Sequence, residues 1–194
     1  MMVRDVLLGT SLVGASFAVG RWSSRPEGRG VDAELFGELN RDRGPDVDRF
    51  FTGITELGSL YAAGAAAGAL AVSGHRRAAT NAIAAAGTTW LIGQGLKKVA
   101  NRPRPYESNL EGSRLLIGPP QGSSWPSSHP AVLTTFTTVA GRDLGLGVIS
   151  RTGLTGLGLT IAASRVAVGA HYPSDVASGF LLGRAVARLW PGRR

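Results

Sequence analysis

Ser164–Asp175 reads SRVAVGAHYPSD. An arginine, Arg165, interrupts the end of an apolar, glycine-containing run, and His171 and Asp175 follow four residues apart. Pro173 stands between them, so the two do not share one continuous helix. The spacing predicts a chain break at His171 and Tyr172, then a new helix with Pro173 in its first turn, where the missing N–H costs nothing. His171 then sits just outside a helix N-terminus, and Asp175 lies inside the first turn within reach of the imidazole. Arg165 falls near the end of the preceding helix. A histidine held by a carboxylate, beside an arginine and a helix N-terminus, describes a nucleophile in an anion site.

Taken alone, a His-x-x-x-Asp pair is more often structural than catalytic. Two further stretches change that reading. In KKVANRPRP, six residues separate Lys97 from Arg104-Pro105. In WPSSHP, Pro126, Ser127, Ser128 and His129 stand in a row. Together the three stretches resemble the signature of the type 2 phosphatidic acid phosphatase family, which also includes bacterial acid phosphatases and vanadium haloperoxidases. The family pattern is Lys, six residues, Arg-Pro; then Pro-Ser-Gly-His; then Ser-Arg, five residues, His, three residues, Asp. The order and spacings match from Lys97 to Asp175, with one departure: Ser128 replaces the usual glycine.

The resemblance implies a metal-independent phosphatase that needs no cofactor. Lys97, Arg104 and Arg165 would clamp the phosphoryl oxygens, arginine suiting this because its planar fork binds two oxygens at once. Ser127, and the backbone near Ser128 and His129 at a helix start, would add donors. His171 would attack phosphorus, Asp175 would bind its other ring nitrogen, and His129 would protonate the leaving group and then activate water. The substrate implied is a lipid phosphate, either a polyprenyl phosphate or diphosphate or a lipid of the phosphatidic acid type. Two competing readings are a non-catalytic phospholipid-binding or transport-associated membrane protein and a vanadate-dependent haloperoxidase.

Composition bounds the rest. The 194 residues suffice for one domain, 1–194. Hydrophobic residues make up 43%, yet mean hydropathy is only +0.08, because alanine and glycine depress the average without making a span polar. The net charge of +8 invites a nucleic-acid reading, but the basic residues are scattered beside apolar runs, so no nucleic-acid partner is expected. Without cysteine, disulfides and thiolate metal sites are excluded.

Read in order, the chain predicts an all-α bundle of six transmembrane helices. Val6–Gly20 is the first apolar run; it reads either as a signal peptide or, preferred because Asp5 disfavours a leader, as a retained span. Residues 21–49 form a polar connector in which Val31, Leu35, Phe36 and Leu39 mark a short amphipathic helix, read as lying on the membrane surface or as part of a solvated connector. Phe50–Ser73 is the second span, with Gly64 and Gly68 available for close helix approach, and with Glu56 at headgroup depth and no chemical role. Spans follow at Ala78–Leu96, Ser127–Gly141, Thr152–Ala170 and Pro173–Leu189. Lys98 and Arg102 read as headgroup or span-end cations. All three motifs then share one membrane face. His75-Arg76-Arg77, Arg142, Arg151, Arg193, Arg194 and Arg4 share the other, which the positive-inside rule makes cytoplasmic. The arginines of the connector fall on the motif side and oppose that assignment. The expected localisation is a multi-pass membrane protein with an extracytoplasmic active site. Oligomeric state is open.

Overall fold

A computed structural model describes residues 3–108 and 110–192; Arg193 and Arg194, which the sequence reading placed on the cytoplasmic face, lie outside them. The described residues form eight α-helices and two 3-10 turns, without a strand. In chain order these are α1 (Val3–Ser23), α2 (Pro26–Asn40), α3 (Pro45–Thr55), α4 (Leu60–Val72), α5 (Arg76–Ala100), α6 (Ser128–Asp143), α7 (Val148–Ala167) and α8 (Pro173–Leu189), with 3-10 turns at Glu56–Gly58 and Pro105–Glu107.

The three helices that close on the site, α5, α6 and α8, meet through small residues and shared polar atoms. Gly179 and Gly183 of α8 lie so near α6 that a Cβ would stand 2.2 Å from the Ser127 carbonyl oxygen and 2.4 Å from that of Ala131. Backbone therefore packs on backbone, as small residues allow in membrane helices. Below this contact the Thr135 hydroxyl lies 2.9 Å from that of Thr89 on α5 and donates to the Gly183 carbonyl at 3.1 Å. Alanines fill the α4–α5 interface: Ala63, Ala67, Ala79, Ala82 and Ala86 are buried in one cluster. The predicted glycine seam is elsewhere, for nothing approaches Gly64 or Gly68 within contact distance of a Cβ.

Two further departures from the sequence reading concern the first third of the chain. The stretch read as one span, Phe50–Ser73, is broken. Here α3 ends at Thr55, the 3-10 turn follows, and Ser59 caps α4 by accepting the Ala62 N–H at 3.1 Å. The turn sits where Gly58 is pressed onto the start of α6; a Cβ there would meet the His129 Cβ at 2.8 Å. In α2 the buried stripe is Gly28, Asp32, Phe36 and Asn40, four residues apart. Of the predicted apolar face only Phe36 points inward, whereas Val31, Leu35 and Leu39 are exposed. Asn40 explains its own burial: its side chain donates to the Arg114 and Ala167 carbonyls and accepts the Arg114 N–H.

By length and apolarity together, one described helix, α1, meets the requirement for a membrane span. α4 has 13 residues and α6 has 16, or about 20 and 24 Å at 1.5 Å per residue, short of a hydrocarbon core of about 30 Å.

Candidate active site

The chain reverses direction so that α5 and α7 end, and α6 and α8 begin, at the same end of the bundle. That topology gathers Lys97, Arg104, Ser127, Ser128, His129, Arg165, His171 and Asp175. Backbone contacts tie the segments together. The Ser127 N–H donates to the Asp175 carbonyl at 3.0 Å, and the His171 N–H to the Arg165 carbonyl at 3.2 Å. Gly169, with φ +83, makes the turn between α7 and α8; a Cβ there would stand 1.9 Å from the Arg114 carbonyl oxygen, so only glycine fits.

The cations converge in two groups. Lys97 donates to the Ser123 carbonyl at 2.9 Å, and Arg104 reaches the same oxygen at 3.4 Å. Arg104 is held by carbonyls along its whole fork: Nε donates to Gly122, Nη2 to Gln121 and Nη1 to Ala170. Its Nη1 also stands 3.4 Å from His171 Nε2. The second group is Arg165 and His129. Arg165 donates to the Thr55 hydroxyl at 2.9 Å, and Arg165 Nη1 and His129 Nε2 lie 3.7 and 3.6 Å from one oxygen of Glu56. Several polar atoms of the site have no hydrogen-bond partner among the described residues: the Ser127 and Ser128 hydroxyls, His129 Nε2, Arg165 Nε and His171 Nδ1. Buried polar groups without partners are costly, and a bound oxyanion is the kind of ligand that satisfies several such donors at once.

His171 is almost fully buried. Burial, reinforced by the positive charges of Lys97, Arg104 and Arg165, holds its imidazole well below the ordinary histidine range, so the ring is neutral with a lone pair to offer. Its Nδ1 lies 3.7 Å from Asp175 Oδ2, an ion-pair distance longer than a hydrogen bond. The same Oδ2 accepts the Tyr172 N–H at 2.9 Å. Glu56 is held below the usual carboxylate range, chiefly by His129 and further by Arg165, against partial burial.

The Ser128 hydroxyl faces α5, where a Cβ at Gly93 would stand 3.6 Å away. A glycine on α5 thus leaves room for the side chain.

Four neighbours of the site escaped the sequence reading. Glu56, read as having no chemical role, lies against Arg165 and His129, and Thr55 accepts from Arg165. Arg102 is not a span-end cation, since its guanidinium donates to Asp175 at 2.6 Å and to Asp32 at 2.6 Å. Asp32 comes from α2. The available signals were weak: the run Glu56-Leu57-Gly58-Ser59 interrupting an apolar stretch, and a polar Asp-Asn pair in register with Phe36.

Decaprenylphosphoryl-5-phosphoribose phosphatase of Mycobacterium tuberculosis is 32% identical over 122 residues, which cover 63% of this chain and 64%, less than two thirds, of that protein. The crystal structure of Aquifex aeolicus LpxE superposes with a TM-score of 0.72 at 29% identity, covering 80% of this chain and 92% of that one. The transmembrane PAP2 type phosphatidylglycerolphosphate phosphatase of Bacillus subtilis gives a TM-score of 0.78 at 21% identity, covering 93% and 92%, and shows likeness of fold alone. The PAP2 superfamily pattern matches residues 78–192, a stretch that holds all three motifs. With more than half its length matched and its helices arranged as in these structures, the chain belongs to the PAP2 superfamily.

Proposed function

We propose that the chain is a multi-pass membrane phosphatase that hydrolyses a phosphomonoester of a polyprenyl-linked or related lipid through a phosphohistidine intermediate. One observation carries the reading: the buried His171 presents Nε2 to Arg104 Nη1 at 3.4 Å, within the field of Lys97 and Arg165. In the first step Nε2 attacks phosphorus, the bond from phosphorus to the lipid oxygen breaks, and His129 gives that oxygen a proton. In the second, water attacks the phosphohistidine, its proton passes to His129, and phosphate leaves with His171 restored. The three cations hold the equatorial oxygens in both steps, supplying positive charge where it is needed in the transition state.

Membrane residence is supported by the membrane phosphatase of like fold and by large apolar side chains pointing outward: Val72, Val148 and Ile149 are each more than 80% exposed. In this reading the six spans are α1, α4, α5, α6, α7 and α8, the shorter α4 and α6 included, with α2 and α3 as a connector on the active-site side. His75, Arg76, Arg77, Arg142 and Arg151 cluster at the turns of the opposite end, which favours an extracytoplasmic site. The name of the mycobacterial relative favours a phosphorylated sugar on a polyprenyl carrier over a phosphatidic lipid.

The test is phosphate release by detergent-purified protein from polyprenyl-phosphoribose phosphate, phosphatidylglycerol phosphate and phosphatidic acid, with EDTA present, beside His171→Ala. Release by the wild type and none by the variant is expected. Release that survives His171→Ala rejects the nucleophile. Vanadate-dependent bromide oxidation would mark a haloperoxidase, and neither activity would mark a binding protein.

A further inference from the structure

We infer that Asp32, on α2 and outside the stretch matched by the family, is a positioning residue that sets the catalytic histidine through Arg102 and Asp175. The inference rests on His171 being the nucleophile. Asp175 has no exposed surface, and a buried carboxylate needs partners for its lone pairs. Its two oxygens are used differently. Oδ1 takes Nη1 of Arg102 at 2.6 Å, while Oδ2 takes the Tyr172 N–H and faces His171.

What keeps Arg102 on Oδ1 alone is Asp32. Asp32 Oδ2 accepts Nη2 of the same guanidinium at 2.6 Å, so the fork bridges two carboxylates and does not close on one. Ser174 completes the arrangement. Its N–H donates to Asp32 Oδ1 at 2.9 Å, its hydroxyl donates to Asp32 Oδ2, and that hydroxyl accepts from Arg102 Nη1 at 2.7 Å. Asp32 and Asp175 thereby take the first two N–H groups at the α8 N-terminus, Ser174 and Tyr172, groups that have no backbone partner within the helix. The guanidinium also stacks over the Tyr172 ring, with Cζ 4.4 Å from its centre. Burial works against the charge on Arg102, but the two carboxylates outweigh it and hold the group above its usual range.

Without the Asp32 charge, a bidentate Arg102–Asp175 pair becomes the favoured geometry. It draws Oδ2 away from His171, and the imidazole loses the group that orients it. Lys97, Arg104 and Arg165 make no hydrogen bond or ion pair with Asp32 among the described residues, so anion binding is spared.

The experiment measures steady-state kinetics, competitive inhibition by inorganic sulfate and thermal melting in detergent for Asp32→Asn, Arg102→Gln and the double variant. His171→Ala serves as control. We expect Asp32→Asn to lower kcat roughly tenfold to a hundredfold, as displacements of about 1 Å do at reacting groups, with KM and sulfate inhibition within about threefold of wild type. In the Arg102→Gln background the same substitution should cost less than about threefold, because its route is already broken. An unchanged kcat in Asp32→Asn, or equal losses in both backgrounds, overturns the inference while leaving an inactive His171→Ala, and with it the nucleophile, intact. If His171→Ala is active, the underlying mechanism fails instead. Should Asp32→Asn not fold, Arg102→Lys replaces it: one ammonium cannot span both carboxylates, the same loss of kcat with intact sulfate inhibition is expected, and an unchanged kcat overturns the inference.

Discussion

Arg104 Nη1 donates to the Ala170 carbonyl at 2.8 Å and, from the same nitrogen, faces His171 Nε2 at 3.4 Å. The cation is thereby tied to the turn that carries the histidine.

Arg104→Lys keeps the charge but abandons the carbonyls of Gln121, Gly122 and Ala170 that the fork satisfies. The variant is expected to lose about 10²- to 10³-fold in kcat/KM, the usual cost of removing a fixed donor from a developing oxyanion. Steady-state kinetics in detergent decide it; a loss below about threefold would show that charge alone suffices.

His171 should stay uncharged under mild acid. Its folded value lies well below 6.5, so between 6.5 and that value the unfolded chain binds a proton that the folded chain refuses. The histidine's contribution to stability is therefore complete above 6.5 and is lost as pH falls toward the folded value. Histidine 15N NMR in micelles, assigned with His171→Gln, should find the ring still neutral at acidities that charge an ordinary solvent-exposed histidine. Protonation near 6.5 would contradict the burial and the neighbouring cations as causes.

Glu56 places its carboxylate where it competes with an incoming oxyanion for Arg165 and His129. Glu56→Gln should tighten competitive inhibition by inorganic phosphate by roughly two- to tenfold, a modest gain because the side chain is largely solvent-exposed and screened. Weaker inhibition would mean that Glu56 instead holds those cations in place.

Ser128→Gly is expected to keep kcat and KM within about threefold of wild type, since the hydroxyl lies toward Gly93 on α5. Gly93→Leu, which fills that space, should lower both thermal stability and activity. Activity that collapses in Ser128→Gly would assign the hydroxyl to the phosphate.

Gly169→Ala tests the turn. Its φ of +83 costs an L-residue about 1 kcal/mol, and the close carbonyl of Arg114 adds a clash. Melting should fall by several degrees, with activity lost at temperatures the wild type tolerates.

How much of this was legible beforehand follows from the physics of each part. Arg165 stands out as an arginine in an apolar run, whereas Lys97, Arg104, His129, His171 and Asp175 were singled out by the joint spacing of three motifs that resemble the family signature, and the proline after His171 marked the helix start that is found at Pro173. The break at Glu56–Ser59 was hidden because averaging hydropathy over Phe50–Ser73 drowns a Gly-Ser capping signal. The roles of Asp32 and Asn40 were hidden for a different reason: their partners are 70 or more residues away in sequence, and a stripe that mixes Gly, Asp, Phe and Asn has no hydropathic period. Arg102 was misread because one arginine among four basic residues carries no sign of which carboxylate it will meet.

Where Gly179 touches the Ser127 carbonyl, main chain rests on main chain with no side-chain layer between the helix that begins at Ser128 and the one that follows His171. The separation of the two imidazoles is accordingly fixed by peptide geometry and is insulated from drift in the surrounding hydrophobic residues.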